Sequence, residues 1–390
     1  MYDSPHQFTP LLPELELEPL QDRIANLVAS SVRLGGRAHP TTLATLRELV
    51  RAMNSYYSNR IEGQSTHPRN IDAALRADFS AKPDVARLQR IAVAHIEAEK
   101  ELEALVLAGE APLTSAFVLK AHAALYGRLA PEDRLSPDGK VIEPGQVRLV
   151  DVDVGKHVPP AAASLPGFLG RFGEVYGRAP AHGERSLLPI ASAHHRMAWV
   201  HPFLDGNGRA VRLQTHAALW PLTYGLWSVN RGLARARERY YERLADADSR
   251  RHGDFDGRGN LSERGLRDWC SFFLDICEDQ VSFMTSMLDL DGVRERIAAL
   301  VTLRSEKDKD IRRELILPMY HLFAAGPMSR GDFAQMSGMG ERTARKAIST
   351  LLTAGLLVSD APYAPVRFGA PLEALLFLFP GLYPEAASPQ

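Results

Sequence analysis

The chain has 390 residues, 45% of them hydrophobic, and its 46 basic and 47 acidic side chains nearly cancel. That length buries one large core and a second, smaller one, and the near-zero net charge excludes the global field that marks a nucleic-acid or membrane binder. The only two cysteines, Cys270 and Cys277, exclude a disulfide scaffold and read as two turns of one buried helix.

Residues 1–19 are polar, acidic and Pro-rich and are expected to be a disordered arm. They lack a cationic start followed by an apolar run, and no later stretch offers about eighteen uninterrupted apolar residues, so a soluble, cytoplasmic protein is expected. Helical periodicity opens near Leu20, with Ile24, Leu27, Val28 and Val32. It resumes after Gly35-Gly36 at Pro40, with Leu43, Leu46, Leu49, Val50 and Met53 on one face, and ends near Gly63. The same spacing recurs over 88–107, 115–129, 165–176, 187–200, 208–220, 235–247 and 266–287, which makes the body mainly α.

One interruption predicts a short β-hairpin: Val147, Leu149, Val152 and Val154, with Gly155-Lys156 at the turn, before Pro159-Pro160. Residues 250–262, rich in Gly, Asp and Arg without periodicity, read as an exposed loop. From Ile311 a different unit begins: one helix to Phe323, a second opened by Ser329 as N-cap, a third from Glu341 to Leu352, then Gly355 and a β-rich tail. That order resembles a winged helix-turn-helix.

The chemistry concentrates at 201–212, His-Pro-Phe-Leu-Asp-Gly-Asn-Gly-Arg-Ala-Val-Arg. Pro202 ends the preceding helix, so His201 sits at a helix-to-loop junction with its ring free to point outward. In Asp205-Gly206-Asn207-Gly208 two glycines let backbone N–H groups converge ahead of a helix N-terminus, a concavity that fits a di- or triphosphate. Asp205 would repel phosphate directly, so its role is to hold Mg²⁺ against the phosphate oxygens. Arg209 and Arg212 flank the same site and neutralise the remaining charge, while Phe203 packs underneath. With no cysteine or lysine in the run, the His201 imidazole is the group able to take a proton from an attacking hydroxyl near neutral pH.

The complete run H-P-F-x-D-G-N-G-R-x-x-R resembles the signature of Fic proteins. The resemblance covers 113–287 and implies a mainly α, Fic-type helical bundle with a small β-hairpin flap, followed by the C-terminal winged helix-turn-helix. It also implies transfer of AMP from Mg-ATP to a Ser, Thr or Tyr hydroxyl of a protein, the chain itself included. Gly208 stands where the phosphate-transferring Doc branch has lysine, which points to AMP transfer. By the same resemblance His201 is the catalytic base, Asp205 the metal ligand and Asn207 an α-phosphate contact, with Gly206 and Gly208 in the nucleotide loop and Arg209 and Arg212 on the outer phosphates. Residues 147–158 take the place of the flap that docks an acceptor segment by strand addition. Tyr240 and Tyr241 fall where relatives stack aromatic rings on adenine, and Asp248 stands where many relatives carry Asn. His194 and His195, on the apolar helix before His201, read as structural hydrogen-bonding groups rather than a metal site.

Ser58-Asn-Arg-Ile-Glu62-Gly63 resembles the family's inhibitory motif, in which the glutamate pairs with the second arginine of the signature, here Arg212. A bidentate pair would withhold that arginine from the γ-phosphate and leave ATP in a pose wrong for in-line attack. The expected division is therefore an arm (1–19), an N-terminal helical region with the inhibitory motif (20–112), a Fic core (113–287), a helical linker (288–310) and a winged-helix-like unit with its tail (311–390). Arg342, Arg345 and Lys346 share a face of the third C-terminal helix, and Arg367 lies in the expected wing. Nearby acidic residues dilute that charge, so DNA contact is disfavoured against a scaffold role. A homodimer stays open, as do two rival readings: a hydrolase removing AMP from modified protein, and a nucleotide-sensing DNA-binding regulator.

Overall fold

The computed structural model of the chain describes residues 2–136, 138–155 and 157–383. Sixteen helices of α type dominate these described residues. Near the N-terminus lie α1 (Glu18–Leu34), α2 (Pro40–Ile61), α3 (Pro68–Leu75) and α4 (Pro83–Leu107). The central bundle follows with α5 (Ser115–Tyr126), α6 (Leu165–Tyr176), α7 (Glu184–Val200) and α8 (Asn207–Thr223). Next come α9 (Val229–Arg235), α10 (Arg237–Asp248), the long α11 (Glu263–Met287) and α12 (Leu290–Lys307). None of the helices is long and apolar enough to cross a membrane.

The last unit has α13 (Ile316–Ala325), α14 (Arg330–Ser337), α15 (Glu341–Thr353), two two-residue strands, β1 (Leu357–Val358) and β2 (Arg367–Phe368), and the single-turn α16 (Leu375–Leu378). The strands pair antiparallel, Leu357 with Phe368 and Val358 with Arg367, and Val366 also bridges Met328. The expected β-rich tail is therefore mostly not β, because Leu375 and Leu378 close it as a turn of helix against the core. Among its basic residues Arg345 pairs with Glu341, Lys346 with Asp310 at 2.9 Å, and Arg367 with Asp360 at 2.6 Å.

The helix that ends in the Ser58 to Gly63 run has legible ends. Pro40 opens α2 behind His39, whose side chain accepts from Thr41 N–H, so proline sits where its missing N–H costs nothing. At the other end Glu62 is the C-cap and Gly63 takes φ +72°, letting Gln64 N–H return to Asn59 carbonyl at 2.8 Å. This left-handed closure is the usual way to satisfy the last carbonyls of a helix, and it points Ser58, Glu62 and Gln64 toward α8. Along its length α2 is locked by buried polar groups: Arg51 pairs with Glu103, Asn54 Nδ2 donates to Glu99 at 3.1 Å, and His216 on α8 lies 3.0 Å from Glu103.

Two expectations need correction. The arm 1–19 is packed rather than disordered over its described part: Phe8 is fully buried, its ring 5.2 Å from Phe168 and 5.8 Å from Trp199. Apolar residues at Phe8 and Leu11 outweigh the polar composition around them. The 250–262 loop is exposed only in part. Asp256 is buried and accepts from Ser262 Oγ, Arg264 N–H and His252 N–H, which closes the N-terminal turn of α11. Leu261 N–H and Asn260 tie the loop to Thr9 and Gln7 carbonyls. The buried core runs continuously from Phe8 through the bundle to Tyr383. Tyr383 Oη donates to Leu49 carbonyl on α2 at 3.4 Å, so the C-terminal unit braces the helix that carries Ser58 and Glu62.

Candidate active site

Helix α7 ends at Val200, and His201 follows as its C-cap in the left-handed region, φ +50° and ψ +61°. A non-glycine residue there is strained, and the strain is held by neighbours: His201 N–H donates to Met197 carbonyl at 3.1 Å, and Arg148 Nε donates to His201 carbonyl at 2.9 Å. The imidazole is lowered to about 4, chiefly by burial and then by the nearby His157 ring. It is therefore neutral near pH 7 and able to accept a proton.

The loop after it is braced from within and below. Asn207 Oδ1 accepts from Phe203 N–H at 2.8 Å and its Nδ2 donates to Phe203 carbonyl at 2.9 Å, so this side chain is spent on shaping the turn. Phe203 is fully buried and stacks on His122 at 3.9 Å. His122 Nδ1 accepts from Gly145 N–H at 2.9 Å, which leaves its Nε2 as the donor to Asp205 carbonyl at 3.1 Å. Gly206 stands at φ +79°, and a Cβ there would collide with the Tyr126 ring. Asp205 uses Oδ1 on Gly206 N–H at 2.5 Å. Its other oxygen receives no bond from the described residues.

Both arginines of the loop lie on the first turns of α8 and face the end of α2. Arg209 donates to Gln64 Oε1 at 2.7 Å and to Tyr126 Oη at 2.6 Å. Arg212 is fully buried and donates from Nε to Ser58 Oγ at 3.0 Å, and from one Nη to Ser58 carbonyl at 3.1 Å and Glu62 Oε1 at 2.6 Å. The expected bidentate Glu62–Arg212 pair is thus a single charge-assisted bond, and Ser58 takes Nε and a second bond from the same Nη. Burial opposes ionisation of Glu62, but Arg212 and Arg209 outweigh it and hold the carboxyl below its ordinary value. Gly208 lets the carboxylate approach the N-terminal turn of α8, since a Cβ would collide with Glu62 Oε1. An anion is favoured there by the helix dipole.

The flap is not a ladder. Among the described residues of 147–155 no strand forms: residues 149 and 150 bend, and a single antiparallel bridge joins Val154 to His157. Lys156 lies outside the described residues. Leu149 is 91% exposed while Val147, Val152 and Val154 are half-buried. Tyr240 is buried, its hydroxyl 3.0 Å from His194 Nε2, whereas Tyr241 is 44% exposed beside the end of α2. Asp248 faces His157 at 3.3 Å and His195 at 3.1 Å. His194 Nδ1 lies 2.8 Å from Thr215 Oγ1, and both histidines of this pair are engaged in hydrogen bonds, as expected of structural groups. His122, Tyr126, Gln64, Arg148 and His157 were not foreseen: His122 and Tyr126 come from a segment remote in sequence, Gln64 directly follows the Ser58 to Gly63 run, and Arg148 and His157 lie within residues 147–158 without being singled out there. Only Arg148 had a local signal, as a charge set between apolar Val147 and Leu149.

Comparison with known proteins places this geometry. Residues 112–219 match the model of the Fic/DOC family. A protein adenylyltransferase Fic of Nematostella vectensis is 30% identical over 206 residues, covering 51% of this chain and 43% of that protein. Its counterpart in Drosophila grimshawi is 31% identical over 107 residues, covering 27% and 20%. The chain thus spans less than half the length of these curated relatives. A Fic family protein from Desulfovibrio desulfuricans G20 shares the fold with a TM-score of 0.50 at 20% identity, over 95% of this chain and 99% of that one. A Fic domain containing signalling protein from Bacteroides thetaiotaomicron VPI-5482 does so at 0.52 and 16% identity, over 68% and 96%.

Proposed function

We propose that this chain, which carries a Fic domain, is a protein adenylyltransferase that moves AMP from Mg-ATP to a Ser, Thr or Tyr hydroxyl of a protein, and that Glu62 holds it off. The observation that carries the reading is the convergence of a neutral imidazole, an anion-shaped loop and two arginines at one helix N-terminus, with one arginine bonded to Glu62. The relatives that share this segment are named protein adenylyltransferases.

In the proposed reaction the acceptor oxygen bonds to the α-phosphorus and the bond from that phosphorus to the bridging β-phosphate oxygen breaks. Pyrophosphate leaves, and the acceptor proton passes to His201. Arg209 and Arg212 take the outer phosphates, which favours pyrophosphate as leaving group. Backbone N–H groups of the turn at Gly206 to Gly208 receive the phosphate oxygens, since the Asn207 side chain is committed to Phe203. The free oxygen of Asp205 suits a magnesium ion, which binds through one or two carboxylates plus phosphate and water and neutralises charge on the phosphates. Tyr241, exposed beside the end of α2, is the better placed of the two tyrosines to meet adenine.

The resting state is off because the γ-phosphate must compete with Glu62 for Arg212. Replacing Glu62 by Gly should raise self-labelling from radiolabelled ATP by about ten- to a hundredfold, the equivalent of one charge-assisted hydrogen bond. Adding His201→Ala should abolish the label. No rise in the first protein removes the inhibitory role, and label persisting in the second removes the base.

A further inference from the structure

Nothing in the site so far explains what keeps the flap in register with the base. Arg148 has a fully buried side chain, and its guanidinium donates to no carboxylate, the nearest being Asp151 at 3.9 Å. It goes instead to three backbone carbonyls: Nε to His201 at 2.9 Å, and the two Nη to Val150 at 3.0 Å and Pro160 at 2.6 Å. Its own N–H donates to Pro202 carbonyl at 2.8 Å. Through its side chain and its own N–H, this one residue joins both ends of the 147–160 segment to His201 and Pro202, which follow α7.

The far side is pinned as well. His157 places Nε2 2.8 Å from Trp199 carbonyl and Nδ1 3.3 Å from Asp248, whose second oxygen meets His195 of α7. A buried cation spent on carbonyls is costly to desolvate, so its bonds must order something. Here they order a strained left-handed residue, His201, and the segment beside it.

We propose that Arg148 and His157 are positioning residues that fasten the docking segment to the His201 turn, so that an acceptor laid on the flap and the base that deprotonates it move as one body. This rests on the reading of 147–158 as the docking flap and His201 as the base. Misplacing reacting groups by about 1 Å costs up to a hundredfold in rate, and a flap free to shift against His201 would lose that register. The relevant loss falls on the transfer step, because Arg148 touches none of the groups assigned to ATP.

The test uses the full chain carrying Glu62→Gly, with Arg148→Ala, Arg148→Lys or Asp248→Asn added. Self-labelling should fall about ten- to a hundredfold in Arg148→Ala, with ATP affinity by equilibrium dialysis changed less than about threefold and rescue in part by millimolar guanidinium, which restores the fork donors. Asp248→Asn should show a smaller fall of the same kind. ATP binding lost in parallel with labelling, or full labelling in folded Arg148→Ala, overturns the proposal. Amide exchange decides it even if the Glu62→Gly protein transfers no AMP: protection must drop together over 147–160 and 199–203 in Arg148→Ala. A drop confined to the flap, with the His201 turn unchanged, refutes the fastening while leaving the assigned activity standing.

Discussion

At the scale of single residues the site is a set of charges whose partners decide their state. His201 is lowered to about 4 chiefly by burial, then by the nearby His157 ring and Arg148, so the neutral, proton-accepting ring is present across the ordinary range. In the Glu62→Gly protein the free-enzyme rate, read as kcat/KM, should therefore show no loss from this group at its ordinary value of about 6.5 and should fall only as pH approaches about 4. A step near 6.5 that vanishes with His201→Ala would contradict this. The signature identified His201, Asp205, Arg209 and Arg212 because its chemistry is local. It did not reveal that Asn207 spends its amide on Phe203, nor that Gln64 takes up Arg209. The first contact is local, four residues apart within the turn; the second joins residues far apart in the chain, and no spacing rule reports it.

At the scale of elements, the inhibitory contact depends on how α2 stops. Gly63 carries the left-handed φ of +72°, and a Cβ added there meets nothing within 4 Å. The whole cost of Gly63→Ala is then conformational, about 1 kcal/mol. That cost loosens the turn presenting Glu62, so self-labelling should rise several-fold, well short of the Glu62→Gly level. Equal labelling in Gly63→Ala and the unaltered protein would show that the latch does not depend on the helix end. Helix ends of this kind were legible, since Gly63 and Pro40 mark both limits of α2 in the sequence. Val32 is 62% exposed, because the buried stripe of α1 runs through Ile24, Leu27, Ser31 and Leu34 and leaves it one position off. Of the expected hairpin one antiparallel bridge forms, Val154 with His157, and Leu149, named with Val147 in it, is 91% exposed.

At the scale of the whole molecule, burial of histidine sets the response to acid. His95 and His194 are lowered to about 3, His122 and His201 to about 4, each chiefly by burial. Unfolded, these rings would bind protons below about 6.5 that the native state refuses, so each withdraws up to about 1.4 kcal/mol of stability per pH unit between there and its folded value. His216, raised by Glu99 and Glu103 against its burial, and Glu99, raised by burial to about 7, act in the opposite sense. The four outnumber the two, so the thermal midpoint should fall between pH 7 and pH 5; a midpoint that holds or rises by circular dichroism would show the accounting to be wrong. The helical class and the candidate phosphate loop, base and inhibitory motif are legible in the sequence, because each is written in residues within a few turns of one another. The tertiary structure alone shows that the N-terminal arm packs on Trp199, that the C-terminal unit braces α2, and that Arg148 donates to the His201 carbonyl. Those outcomes depend on which distant surfaces meet, and burial and hydrogen-bond satisfaction select them only once the whole chain has closed around one core.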